Sequence, residues 1–132
     1  MAPRALTGWL TRGDARPGAA GEAAACRYLE AHGFAVLARN FRCRSGEVDV
    51  VARQGDTTVF VEVKERRGDT HGQGHEAVTF GKRRRIVRAA RLYAAARGLS
   101  ETPLRFDVVS IDWEDGQPRI RHDPGAFDGG GG

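Results

Sequence analysis

The feature that most constrains this chain is a pair of alternating segments, Glu47 to Arg53 and Thr57 to Arg66, joined by the turn Gln54-Gly55-Asp56. Successive side chains of a β-strand point to opposite faces. In the first segment that rule puts Val48 and Val50 on one side and Glu47, Asp49 and Val51 on the other. In the second it puts Val59, Val61 and Val63 on one side and Phe60, Glu62, Lys64 and Arg66 on the other. A short Gly-containing turn makes the two segments a hairpin, with arms roughly 5 Å apart. Pairing about the turn sets Asp49 opposite Glu62, and Lys64 shares the face of Glu62. Two carboxylates and one ammonium therefore converge on one patch.

The rest of the chain supplies the frame for that hairpin. Ala19 to His32 reads as a helix with an apolar face of Ala20, Ala23, Ala24, Tyr28 and Leu29, closed by Gly33 as a C-cap. Phe34 to Phe41 reads as a strand, followed by a turn over residues 42–46. A Gly- and His-rich loop, Arg67 to Ala77, leads to a second helix capped by Thr79 and running to about Arg97. Leu104 to Trp113 is an apolar strand, and Pro118 to His122 a short edge strand beyond a turn. The order α-β-β-β-α-β, with that last strand added, predicts an α/β fold with a mixed β-sheet flanked by helices. Residues 1–17 are expected to be a flexible arm, 18–127 a single domain and 128–132 a disordered Gly tail.

With 132 residues, 40% hydrophobic and 29% charged, the chain has the balance of one ordinary globular domain. A formal charge of +4 and a pI near 9.7 favour a polyanionic partner such as nucleic acid. Cys26 and Cys43 form no C-x-x-C pair and no disulfide framework, no apolar run has the length of a bilayer span, and Met1 to Leu10 lacks a signal-peptide core. The expected setting is cytoplasmic, without membrane contact. Of 21 basic side chains only Lys64 and Lys82 are lysines, and a compact ammonium is not interchangeable with a guanidinium fork in a catalytic site.

Asp49, Glu62 and Lys64 suit a hard divalent cation, since Mg²⁺ takes one or two carboxylates and completes its shell with water and phosphate oxygens. The rival is a plain cross-strand ion pair on a solvated face. Against it, the run Val59-Phe60-Val61-Glu62-Val63-Lys64 brackets the charges with apolar residues, as in a buried strand, and buried charges need partners or a metal. On the second helix Arg84, Arg88 and Arg91 form a stripe at i, i+4 and i+7, with Lys82, Arg83 and Arg85 at its start and Ile86, Ala89, Ala90 and Tyr93 opposite. Such a stripe suits a phosphate backbone or simply faces water. His71 and His75 stand four apart but in a Gly-rich loop, which makes a zinc pair a poor reading.

Asp49 ahead of Glu62-Val63-Lys64 resembles the PD-(D/E)xK motif of restriction-endonuclease-like nucleases. More narrowly, Gly21-Glu22, Arg39-Asn40, Gly46-Glu47-Val48-Asp49, Phe60-Val61-Glu62-Val63-Lys64, Glu76-Ala77-Val78 and Arg105-Phe106-Asp107-Val108 resemble the YraN family of bacterial endonuclease-like proteins. The resemblance runs from about Gly21 to Phe127. It implies a restriction-endonuclease-like fold, with Asp49, Glu62 and the backbone carbonyl of Val63 as ligands of Mg²⁺ or Mn²⁺ and Lys64 as the catalytic lysine. It adds Glu22 as a further acidic ligand, where the residues alone suggest only a charge compensating a helix N-terminus. Glu47 is expected to support the site from behind its ligands, and Lys82, Arg84, Arg85, Arg88 and Arg91 to bind nucleic acid. The implied activity is hydrolysis of phosphodiester bonds in DNA, with branched or junction DNA and a homodimer suggested by related resolvases. A nucleic-acid-binding module of the same fold with little turnover is the alternative, and a protein-interaction scaffold a third. Two departures stand out: Glu65 follows the lysine where relatives usually have Thr, and Phe80 stands where Pro is common.

Overall fold

The computed structural model describes residues 16–67 and 79–129. Its elements are α1 (Ala19–Ala31), β1 (Ala35–Cys43), β2 (Gly46–Gln54), β3 (Thr57–Arg67), α2 (Phe80–Ala96), β4 (Leu104–Glu114) and β5 (Gln117–Phe127). The sheet order is β1-β2-β3-β4-β5. All neighbours are antiparallel except β3 and β4, which are parallel. A parallel pair needs a long crossover, and α2 supplies it. The described residues are therefore an α/β fold with a mixed five-stranded sheet and two helices. Arg16, from the expected arm, pairs with Glu22, and Gly129, from the expected tail, accepts a hydrogen bond from Arg91.

Local chemistry explains the element ends. Gly33, at φ 89°, turns the chain out of α1 into β1, a conformation glycine adopts without strain. Thr79 caps α2, its hydroxyl accepting the Lys82 N–H at 3.1 Å. β5 is longer than expected, eleven residues instead of Pro118 to His122. Its prolines are tolerated because an edge strand has one unpaired side. Pro124 and Gly125 also fall within a register shift between Phe106 and Val108 of β4.

Each helix covers one face of the sheet. On the α1 face Leu29, Phe34, Val36, Val50, Val61 and Ile111 are prominent in the core; on the α2 face Val51, Phe60, Ile86, Tyr93 and Phe106 are. Val50, Val51, Ala52, Val59, Phe60 and Val61 are all fully buried, which is why the central strands read as near-continuous apolar runs. Each such valine or phenylalanine contributes roughly 1.5–3 kcal/mol on burial, so the hairpin is the rigid part of the molecule.

Two assignments of faces are corrected. Val48 packs on the α2 side with Val51 and Phe60, whereas Val50 packs on the α1 side. Strict alternation had put Val48 and Val50 together. The alternation breaks level with Asn40, which lies between the pairs Arg39↔Val50 and Phe41↔Val48 and has φ 58°. Asparagine is one of the few side chains that enters this left-handed region readily. On α1, Ala20 is exposed while Gly21, Glu22, Ala25 and Cys26 are buried. Alanines give little hydrophobic contrast, so the buried face of α1 was not fixed by its own sequence.

α2 crosses β2 so closely that a Cβ at Gly46 would overlap the carbonyl of Arg85. Gly46→Ala is expected to destabilise the fold by about 1–3 kcal/mol through overpacking and to move the start of α2 away from the sheet. Chemical denaturation with the midpoint compared to the parent checks this.

Candidate functional site

The acids sit where the hairpin opens. β2 and β3 pair from Gln54↔Thr57 up to Val50↔Val61. Beyond that, the described register pairs β2 only with β1 and β3 only with β4. Asp49 stands at the point of divergence. Its Oδ2 accepts the Val63 N–H at 2.8 Å, replacing the partner that a ladder carbonyl would have provided. The expected juxtaposition of Asp49 with Glu62 is present: both carboxyls line one cleft, and the Glu62 charge acts on Asp49.

Burial first, then the neighbouring Glu62 charge, push the Asp49 carboxyl up to about 8. The Val63 N–H pulls it the other way, and Glu22 adds to the rise. Two neighbouring carboxylates withdrawn from bulk water cannot both ionise cheaply, so Asp49 keeps its proton at neutral pH. Glu62 is itself buried and projects toward α2, where Lys82 Nζ lies 2.6 Å from its Oε2. Partial burial opposes the Lys82 ammonium, but its hydrogen bond to Glu62 and the charges of Glu62, Asp49 and Glu47 hold its pKa above the ordinary lysine value.

Lys64 is in register with Ser110 on β4 and only partly buried. Among the described residues no hydrogen bond or ion pair engages it, and it does not line the cleft. The lysine that touches the acid pair is thus Lys82, brought in by the crossover helix. Glu22, on α1, is buried and bound by Arg16 at 2.9 Å and Arg39 at 3.2 Å. Arg39 also donates to the Ala19 carbonyl at 2.8 Å, fixing the first turn of α1 against β1. Glu47 is half exposed and 3.4 Å from Arg42.

Glu22, Glu47, Asp49, Glu62 and Lys82 line a cleft of about 770 Å³ between the N-terminal turns of α1 and α2. Its floor is acidic, made by Glu22, Asp49 and Glu62. Its rim is basic and exposed, made by Lys82, Arg84, Arg85 and Arg88. Arg91, expected in the same stripe, does not line the cleft; its Nη2 donates to the Gly129 carbonyl at 2.6 Å. His71 and His75 lie outside the described residues.

The donor set fits a hard divalent cation. A buried carboxyl beside a partly buried one that keeps its proton is an arrangement in which a cation can replace that proton. Among the described residues no group of three or more His, Cys, Asp or Glu is arranged to hold a metal. The protein side would therefore be a two-carboxylate site, and Mg²⁺ ordinarily takes the remainder of its shell from water and phosphate.

A second polar cluster was not found from sequence. Asp107 is fully buried on β4. Arg105 donates to it through Nε at 2.8 Å and Nη2 at 2.9 Å, the Gly125 N–H at 2.9 Å, and His122 Nε2 lies at 2.7 Å. His122 Nδ1 continues to the Tyr28 hydroxyl at 3.1 Å, so the chain ties β4, β5 and α1 together. Burial opposes the Asp107 charge, yet the hydrogen bonds from Arg105, Gly125 and His122 outweigh it and hold the carboxyl below the ordinary aspartate value. None of these residues lines the cleft. The signal that could have found the cluster is a lone Asp inside the apolar run Phe106-Asp107-Val108-Val109.

The fold and site define an α/β protein with an acid pair at the floor of a basic-rimmed cleft. By sequence, residues 21–111 match the family described as Uncharacterised protein family UPF0102. The chain is 50% identical over 113 residues to a UPF0102 protein of Symbiobacterium thermophilum, covering 85% of this chain and 96% of that protein. It is 47% identical over 121 residues to one of Anaeromyxobacter dehalogenans, covering 90% of each. A UPF0102 protein of Geobacter metallireducens is 47% identical over 111 residues, 84% of this chain and 91% of its own length. The chain belongs to the UPF0102 family. No helix of the described residues is long and apolar enough to cross a membrane.

Proposed function

We propose that this chain is a divalent-metal-dependent nuclease of the restriction-endonuclease-like, PD-(D/E)xK type, within the YraN group, hydrolysing phosphodiester bonds in DNA. The observation that carries the reading is the Asp49–Glu62 pair, held side by side at the mouth of the hairpin and facing a basic rim.

Mg²⁺ or Mn²⁺ held there supplies Lewis-acid polarisation of a phosphoryl oxygen and a water of lowered pKa. Asp49 and Glu62 would hold the cation, with Asp49 oriented by the Val63 N–H. Glu22, fixed by its two arginines, adds negative potential at the floor. Lys82 sits against Glu62 and can offset charge developing on a bound phosphate, while Arg84, Arg85 and Arg88 neutralise neighbouring phosphates. Lys64 shares the Glu62 face by strand parity but stands outside the cleft lining, so it would have to swing inward to serve as the second ammonium. Branched or junction DNA, the homodimer and the cytoplasmic setting rest on the resemblance and composition alone.

The binding-module alternative is favoured by one observation: Lys82 already neutralises Glu62 at 2.6 Å, as a cation would. The two readings are separated by incubating linear, flapped, nicked and four-way DNA with Mg²⁺ or Mn²⁺. Metal-dependent cleavage by the parent that disappears in Glu62→Gln supports the nuclease. Tight DNA binding without cleavage on any substrate supports the module.

A further inference from the structure

Phe80 is the most exposed large hydrophobic residue among the described ones, with 65% of its surface in solvent. It is the first residue of α2 and stands between Thr79 and Gly81, both of which line the cleft. That position needs no aromatic for the helix itself; its demands are only a helical φ and a dispensable N–H. The Arg84 guanidinium carbon lies 4.7 Å from the Phe80 ring centroid, over its face. Arg84 also lines the cleft. An exposed ring backed by a guanidinium, on the same helix as Lys82, Arg85 and Arg88, joins a stacking surface to a phosphate-binding rim.

We propose that Phe80 and Arg84 form a stacking platform for an unpaired nucleobase, so that the cleft takes a DNA strand with unstacked bases in preference to intact duplex. In a duplex both faces of each internal base are covered by neighbours, so only a single-stranded segment, flap or splayed junction arm offers a face to Phe80. The charge of the rim supplies the occupant's chemistry: Lys82, Arg84, Arg85 and Arg88 call for a polyanion, and a nucleic-acid strand alone combines that polyanion with aromatic faces. This deepens the nuclease reading and rests on it for the choice of DNA, but the platform acts in binding and needs no metal.

The test is fluorescence anisotropy of labelled single-stranded and duplex DNA with EDTA present, so that nothing is cut. The parent is expected to bind the single strand more tightly. Phe80→Ala is expected to weaken single-strand binding by about 5- to 150-fold, the range of one lost base–aromatic stack, and to leave duplex binding unchanged. Phe80→Trp is expected to retain the parent affinity. Equal weakening of both DNAs in Phe80→Ala, no weakening of either, or parent preference for duplex would overturn the platform. Failure of the metal site would instead appear as absent uptake of Mn²⁺ by the parent, with the anisotropy pattern intact.

Discussion

Asp49→Asn is expected to abolish cleavage, by at least about 100-fold, while leaving the protein no less stable than the parent in alkaline solution. On the nuclease reading, the activity loss follows from removing a carboxylate that would hold the cation. The stability result follows from linkage. In the folded protein Asp49 titrates near 8, against an ordinary value of 3.8, so the folded state holds the extra proton between those limits. The stability this group contributes is therefore present in full below about pH 4 and is lost as the pH rises through about 8. Asparagine cannot ionise, and its side-chain carbonyl can still accept the Val63 N–H. The variant is thus expected to melt above the parent at pH 9 and close to it at pH 5. Melting curves at both pH values, beside cleavage rates, check the pair of outcomes. A variant that loses activity because it unfolds would show the opposite stability change.

The largest stability effect is expected at Asp107. Asp107→Ala leaves the Arg105 guanidinium, the Gly125 N–H and His122 without their common acceptor inside the β4–β5 ladder. Breaking a buried charge cluster from one side costs about 3–5 kcal/mol, which for a domain of this size lowers the melting temperature by roughly 10–20 °C. The sign with pH is opposite to that of Asp49. The folded carboxyl is held below its ordinary value, so its contribution is present above the unfolded value and lost as the pH falls through the folded one. The parent should therefore lose stability toward acid more steeply than Asp107→Ala does. Thermal denaturation between pH 3 and pH 7 tests this. The cluster is remote from the cleft, so metal uptake by the variant, measured well below its melting temperature, should match the parent.

Much of this was legible in the residues because it depended on local periodicity. Strand parity and the Gln54-Gly55-Asp56 turn were enough to bring Asp49 beside Glu62, and the observed register Val50↔Val61 lies one step along the same pairing. The Thr79 cap and the apolar face of Ile86, Ala89, Ala90 and Tyr93 were equally local. What escaped depended on tertiary contacts or on single backbone angles. Nothing in the spacing of Glu62 and Lys82 shows that the crossover helix returns one to the other. The αL backbone at Asn40 moved Val48 to the opposite face from the one alternation assigned. Glu22 could be placed near the acids by resemblance, but its capture by Arg16 and Arg39 is a contact between segments. Asp107 sits in a motif that was recognised without its role being readable, since the partners that complete its set, His122 and Gly125, come from the edge strand β5.

The central claim is that Asp49 and Glu62 form a divalent-metal site, and calorimetric titration of Mn²⁺ at pH 6 and pH 9 tests it most directly. The account predicts saturable binding by the parent that tightens from pH 6 to pH 9, with a proton released on binding at pH 6 and little at pH 9, and no binding by Asp49→Asn at either pH. Absence of binding by the parent, or binding of equal strength in Asp49→Asn, would contradict it.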